Sequence, residues 1–229
     1  AMLSTPDHFA RSGLASPRAR LDLLVQAEQT EVSLGALYRG VFLDRDGTIN
    51  EEVGYLRRLD QFRFIDGAAE AVKLLNESGL KVVIVTNQAG VARGYLSEQA
   101  LQQIHCVMAE ALRAQYARLD GIYYCPHHPI EGVGAYKIEC DCRKPKPGMM
   151  ERAARELNID LSRSFIVGDK ITDLETGYVV GCKTVLVRTG YGLTSEEQFV
   201  DRPFQPDYVA DNVLEASRWI LKQAVGAGA

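Results

Sequence analysis

From Tyr38 onward, short apolar runs alternate with longer segments of helical periodicity, and this alternation limits the fold more than any other feature of the chain. Strands are predicted at residues 40–43, 81–85, 121–124, 164–167, 184–187 and 207–209, and helices at 68–78, 97–119, 148–157, 172–180 and 213–224. Gly79 is placed to stop the first helix, Ser97 followed by Glu98 to start the second, and Asp211 or Asn212 to cap the last. Strands separated by helical crossovers pair in parallel and bury both faces. The expectation is therefore α/β, a Rossmann-like, mainly parallel sheet with helices on both faces. At 229 residues and 46% hydrophobic, the chain can furnish one substantial core.

The regular pattern covers residues 38–229, which are expected to form one domain. Residues 1–37 contain Pro6, Gly13 and Pro17 around a possible helix at 19–31, and are expected to be an appendage of unknown role. A formal charge of −4, a pI near 5.7 and the absence of a Lys/Arg block argue against nonspecific nucleic-acid binding. No signal-peptide pattern stands at the start, and the strongest apolar run, near residues 80–85, is strand-sized, so no membrane association and a cytoplasmic address are expected. Five cysteines is an odd number, and three of them cluster with histidines, which favours thiolate metal ligation in a reducing compartment. Cys106 and Cys182 read as packing residues.

In open α/β sheets, ligands sit beyond the carboxyl ends of the strands, so residues that follow separate strands can meet. Asp44 and Asp46 follow the first apolar run; Thr86, Asn87 and Gln88 follow the second; Gly168, Asp169, Lys170 and Asp173 follow the fourth. Arg143 and Lys144 stand just before the helix that Pro145 and Pro147 introduce. Carboxylates at the end of a buried strand are costly to desolvate without a cation, so a metal is the natural partner of the aspartates. Carboxylates for a metal, a hydroxyl and cations around one opening are the parts that phosphate-ester cleavage requires. A second metal signal is Cys125-x-His127-His128 followed by Cys140-x-Cys142. Three thiolates and one imidazole suit a closed tetrahedral zinc site, which would clamp an otherwise long loop; spacing alone leaves His127 and His128 both open.

Taken in order, Asp44-Arg-Asp46-Gly-Thr, Thr86-Asn-Gln, Lys144 and Gly168-Asp169-Lys-x-x-Asp173 resemble the four motifs of the haloacid dehalogenase superfamily of phosphatases. The resemblance implies Asp44 as the nucleophile that becomes an aspartyl phosphate, and Asp46 as general acid and base. It implies Mg2+ held by Asp44, the Asp46 main-chain carbonyl and Asp169, with Thr86 and Lys144 stabilising the phosphoryl group and Lys170 supporting the same site. Asp173 has two readings, an acid that orients Lys170 or an early-helix carboxylate. The resembling proteins use Cys-x-His, which favours His127, so the implied structural Zn2+ ligands are Cys125, His127, Cys140 and Cys142.

Within the superfamily, Gly54-Tyr55, Phe64-Ile-Asp-Gly67, Asn87-Gln-Ala-Gly-Val-Ala-Arg-Gly94 and Val187-Arg-Thr-Gly190 resemble the phosphatases that remove the 7-phosphate of D-glycero-D-manno-heptose 1,7-bisphosphate. That resemblance implies a small phosphosugar contacting Glu52, Val53, Gly54, Tyr55, Thr86, Asn87, Gln88, Ala89, Arg143, Lys144 and Lys170. Arg143 is expected to meet the distal phosphate, and Arg93 either to approach substrate or, the preferred reading, to cap neighbouring carbonyls at the start of the helix that begins at Ser97. Histidinol-phosphate phosphatase and a zinc-stabilised phosphate-binding protein without turnover are the alternatives. No large cap domain interrupts residues 46–86 or 86–144, so an open entrance is expected, in a monomer or a homo-oligomer.

Overall fold

The computed structural model describes residues 37–226; the expected helix at 19–31, and all of the expected appendage except Leu37, lie outside them. The strands are β1 (Gly40–Leu43), β2 (Lys81–Asn87), β3 (Gly121–Cys125), β4 (Phe165–Gly168), β5 (Lys183–Val187) and β6 (Tyr208–Ala210). The helices are α1 (Ala68–Glu77), α2 (Ala89–Ala92), α3 (Glu98–Arg113), α4 (Gly148–Leu157), α5 (Ile171–Val179), α6 (Gly192–Gln198) and α7 (Val213–Gly226). The six strands form one parallel sheet in the order β3-β2-β1-β4-β5-β6.

Side-chain alternation along the strands separates the two layers of the core. Val41, Leu43, Val82, Ile84, Phe165, Val167, Val185 and Val187 face α1, α7 and the end of α3, where Val72, Leu75, Met108, Leu112, Val213 and Ile220 meet them. Phe42, Val83, Val85 and Ile166 face Met149, Met150 and Ala153 of α4, and Leu186 packs against Ile171 and Leu174 of α5. The runs of β1, β2, β4 and β5 are thus buried from both sides, the pattern of interior parallel strands, whereas the edge strands β3 and β6 are only partly buried.

One boundary differs from the sequence-based expectation by more than two residues. The helix expected over 97–119 ends at Arg113: Tyr116 takes a left-handed φ of 60°, and the Ala117 amide donates back to the Leu112 carbonyl at 3.0 Å. That stop buries Ala117 and lets the Asp120 carboxylate accept from the Val82 amide, which brings β3 to the sheet edge. The short helices α2 and α6 carry too few residues for a periodic signal and were not anticipated. Of the cap candidates, Ser97 Oγ accepts from the Ala100 amide and Asn212 Oδ1 from Leu214 and Glu215, whereas Asp211 pairs with Arg188. Cys182 is buried as expected, but Cys106 is exposed on the outer side of α3 and packs no core. Among the described residues, no helix is long and apolar enough to cross a membrane.

Candidate active site

The chain leaves β1 toward β2 on one side and returns to β4 on the other, so the crevice between β1 and β4 is the switch point of the sheet. Leu43 is in register with both Ile84 and Val167. The residues just beyond, Asp44, Thr86 and Asp169, therefore gather at one level although far apart in sequence. Asp44 continues the ladder through its amide, which donates to Val167 O at 2.9 Å. Thr86 and Asn87 are the last residues of β2, not a loop after it.

Lys144 is the cation buried beneath these ends. Its Nζ lies 2.9 Å from Asp44 Oδ1, 2.6 Å from Asp173 Oδ1 and 2.7 Å from the Val85 carbonyl, with all three side chains buried. Burial alone would lower the Lys144 pKa, but Asp173 and Asp44 outweigh it and raise it. Asn87 holds the lysine backbone from both sides, accepting from the Lys144 amide and donating to its carbonyl, each at 3.0 Å. Asp173 is thus an acid that pairs with Lys144. It also accepts from the Lys170 amide at the start of α5, while Lys170 Nζ turns away to Glu52, 2.9 Å distant. The orienting role weighed for Asp173 is directed at Lys144, not at the Lys170 ammonium.

Asp44, Asp169 and Asp173 place carboxylate oxygens within 4.8 Å of one another. Asp169 Oδ2 accepts from the Tyr191 amide at 2.8 Å, but its buried Oδ1 has no hydrogen-bond partner among the described residues. Burial, reinforced by the charges of Asp44 and Asp173 and opposed by Lys170, pushes the Asp169 pKa up to about 8. An orphaned hard oxygen in a cluster of carboxylates is the donor set of a hard divalent cation, so these residues fit magnesium. The turn after Asp46 is shaped around the same acid: Gly47 has φ 83°, and a Cβ there would run into the Asp169 carboxylate. Thr189 Oγ1 closes the turn by donating to the Gly47 carbonyl at 2.6 Å.

Asp46 lies beside this cluster at the rim of a cavity of about 400 Å³. Oδ1 accepts from Asn50 Nδ2 and Oδ2 from Gln88 Nε2, each at 2.9 Å, and Arg45 grips both oxygens. Burial would raise the Asp46 pKa, but Arg45 and the two amides hold it below the usual carboxylate range. Of the expected substrate contacts, Glu52, Gly54 and Tyr55 line one wall of the cavity and Asn87, Gln88 and Ala89 another. Arg143, Lys144 and Lys170 supply its positive charge. Val53 does not reach this cavity and belongs to a neighbouring surface groove. Thr86 lies beneath the floor, 1% exposed, its Oγ1 accepting from Gln88 Nε2 at 2.9 Å.

The cysteine cluster assembles as spacing predicted. Cys125, His127, Cys140 and Cys142 place their ligand atoms within 4.8 Å of one another. Cys125–Cys140 and Cys140–Cys142 sulfur separations of 3.5 and 3.2 Å, and 3.8 and 3.4 Å from His127 Nδ1 to the Cys125 and Cys142 sulfurs, approach the edges of a tetrahedron with ~2.3 Å metal–sulfur bonds. His128 is outside it, its Nδ1 accepting from the Ile130 and Glu131 amides. Of the two histidines that spacing left open, the structure brings His127 to the three sulfurs. Arg143 NH1 donates to the His127 carbonyl at 3.2 Å, tying the cluster to the cavity wall. Arg93 pairs with Glu131 of the same loop, not with carbonyls at the start of the Ser97 helix, and stands 5.4 Å from the Tyr55 ring centroid, so it ties two loops together.

Sequence reading missed Arg45, Asn50, His105 and Tyr191, which act on the site through Asp46 and Asp169. Tyr191 contributes a backbone amide, which no residue type announces. Arg45 sits between the two singled-out aspartates, where an intervening residue would be expected to face away.

A family model described as HAD-hydrolase-like, for haloacid dehalogenase, matches residues 141–216. The chain is 48% identical over 186 residues to the D-glycero-beta-D-manno-heptose-1,7-bisphosphate 7-phosphatase of Haemophilus influenzae, covering 81% of this chain and 97% of that one. It is 53% identical over 137 residues to the protein of the same name from Haemophilus ducreyi, covering 59% and 75%. Among solved structures it is similar to D,D-heptose 1.7-bisphosphate phosphatase from B. bronchiseptica, complexed with magnesium and phosphate. There the TM-score is 0.73 and the identity 32%, over 81% of this chain and 99% of that one. Similarity of this degree along nearly the whole length of the H. influenzae enzyme leaves one assignment: the chain belongs to the heptose-1,7-bisphosphate 7-phosphatase family of haloacid dehalogenase-like hydrolases.

Proposed function

We propose that residues 38–229 form a magnesium-dependent phosphatase that removes the 7-phosphate of D-glycero-D-manno-heptose 1,7-bisphosphate through an aspartyl phosphate on Asp44. The observation that carries the reaction class is the buried contact of Lys144 Nζ with Asp44 Oδ1 at the floor of a cationic cavity. The names and coverage of the relatives favour the substrate.

In this reading, Asp44 attacks phosphorus while Lys144 offsets the charge of both the nucleophile and the phosphoryl oxygens. Thr86, whose Oγ1 lone pair is already used by Gln88, directs its hydroxyl hydrogen to a phosphoryl oxygen. Asp46 protonates the departing sugar oxygen, then takes a proton from the water that hydrolyses the aspartyl phosphate. The ionised Asp46 gains its proton when the substrate dianion arrives, because adjacent negative charge favours the neutral carboxyl. Asp44, Asp169 and the Asp46 carbonyl would hold magnesium, which when bound withdraws charge from the phosphoryl oxygens. Arg143 reaches the distal phosphate, Lys170, 3.7 Å from Asp169 Oδ1, supports the reacting one, and Glu52 and Tyr55 meet the sugar. Cys125, His127, Cys140 and Cys142 hold zinc, which steadies the loop that carries Arg143 and Lys144.

The test is phosphate release from both anomers of the heptose bisphosphate, histidinol phosphate and fructose 1,6-bisphosphate, with magnesium present. Preference for a heptose anomer supports the proposal; preference for histidinol phosphate transfers the assignment to that substrate. No release from any of them leaves a phosphate-binding protein.

Asp169 also links magnesium to stability. Between the ordinary value of 3.8 and about 8, the folded state holds a proton that the unfolded state has lost, so stability falls as pH rises through that window. Magnesium replaces that proton and removes the penalty. The unfolding midpoint is expected to rise more on magnesium addition at pH 8 than at pH 5; an equal rise at both would refute Asp169 as a ligand. At the other metal centre, Cys140→Ser is expected to reduce zinc content below half of wild type and lower the unfolding midpoint by several degrees, about 1–3 kcal/mol. Full zinc occupancy in that variant would remove Cys140 from the ligand set.

A further inference from the structure

Arg45 is completely buried, an unusual place for a guanidinium, and each of its three side-chain nitrogens has a partner. Nε donates to Asp46 Oδ1 at 3.1 Å, and NH2 donates to Asp46 Oδ1 and Oδ2 at 2.8 and 2.7 Å and to Gln88 Oε1 at 3.1 Å. The remaining arm, NH1, points away from the cavity to His105 Nε2 of α3, 3.0 Å away. A guanidinium has only donors, so Nε2 accepts and the imidazole proton sits on Nδ1. Burial, followed by the charge of Arg45, pushes the His105 pKa down to about 3, so the ring stays neutral and remains an acceptor across the physiological range. His105 is itself 5% exposed, with its ring centroid 5.5 Å from that of Tyr124.

We infer that His105 is a positioning residue for catalysis: as the acceptor behind Arg45 it fixes the guanidinium that orients the Asp46 carboxylate. This rests on Asp46 as the proton carrier of the proposed reaction. The two contacts, His105 to Arg45 and Arg45 to Asp46, form one line from α3 to the cavity, and of these three residues only Asp46 touches substrate. Without an acceptor, NH1 is a buried donor with no partner, and the guanidinium shifts to find one. The Asp46 oxygens move with it, because Arg45 engages both. Misplacement on the scale of an ångström suffices to lose much of the contribution of a general acid. A histidine that merely filled the core would affect folding without choosing between substrates.

The experiment separates these roles by leaving group. An alkyl phosphate needs its departing oxygen protonated, whereas p-nitrophenyl phosphate departs as a stabilised phenolate. Both are assayed with the full-length, magnesium-loaded protein by kcat/KM, which reports formation of the aspartyl phosphate. The alkyl ester is whichever of the heptose, histidinol and fructose phosphates the wild type turns over best. His105→Phe keeps the ring against Tyr124 and removes the acceptor. It is expected to lower kcat/KM for the alkyl phosphate at least about tenfold and to leave p-nitrophenyl phosphate within about twofold. His105→Gln, which returns an acceptor, is expected to recover most of the loss. Should His105→Phe not fold, His105→Asn, too short to reach Arg45, makes the same comparison. Equal losses on the two esters, or no rescue by His105→Gln, overturn the inference while the proposed function stands. A wild type that hydrolyses no alkyl phosphate overturns the proposed function and the inference with it.

Discussion

Asp44→Asn is expected to cut magnesium-dependent phosphate release by at least about a thousandfold while leaving the unfolding midpoint within a few degrees of wild type. The activity loss follows from chemistry, since an amide oxygen is a far weaker nucleophile toward phosphorus. The stability argument comes from the surroundings of the carboxylate. Asp44 shares its space with the buried Asp169 and Asp173, so neutralising it relieves like-charge repulsion. It also deprives Lys144 of one partner, but the 2.6 Å contact to Asp173 and the 2.7 Å contact to Val85 O remain. The two effects oppose each other and leave little net change. Rapid quenching of wild-type turnover, followed by mass spectrometry, should find an acid-stable, base-labile phosphate on Asp44 that the variant lacks. Turnover at the wild-type rate in Asp44→Asn would remove the nucleophile assignment.

Lys144→Met is expected to damage both activity and fold. The variant retains the methylenes but leaves the buried Asp44 and Asp173, with Asp169 close by, around a space from which the ammonium that Asp44 and Asp173 shared has gone. Breaking a buried ion pair by removing one member costs about 3–5 kcal/mol, here roughly 10 °C in unfolding midpoint. The direction with pH distinguishes this from lost packing. The Lys144 pKa is raised in the folded state, so its stabilisation is fully present below its ordinary value of 10.5 and is lost only as pH rises through the higher folded value. In the variant the carboxylates can escape repulsion only by taking protons, so the deficit should be large at pH 7.5 and shrink toward pH 5. Thermal unfolding of both proteins at the two pH values measures it. A deficit of equal size at both would point to packing rather than charge. Phosphate release should fall at least about a hundredfold, because both the nucleophile and the transferred group lose their counter-charge.

Much of the fold was legible because a buried parallel sheet writes itself as continuous apolar runs. All six predicted strands exist, with ends within about two residues. The end of α3 was not legible: residues 114–119 continue a helix-compatible composition, and the stop comes from delivering β3 to the sheet edge. At the site, residues whose chemistry is unusual at a strand end stood out, as Asp44, Asp46 and Asp169 did. His105 did not, because a lone histidine on an otherwise apolar helix face looks like any core residue until its partner is known.

Residue type and order alone determined the alternating α/β architecture, the acidic and cationic residues after the strands, and the clustering of three cysteines with two histidines, since each is written in local pattern or short spacing. Tertiary structure brought His127 rather than His128 beside the three sulfurs, paired Asp173 with Lys144, and joined His105 to Arg45. These pairings depend on where side chains from different elements point across the sheet ends, and that direction follows from strand register and helix packing rather than from nearness in the chain.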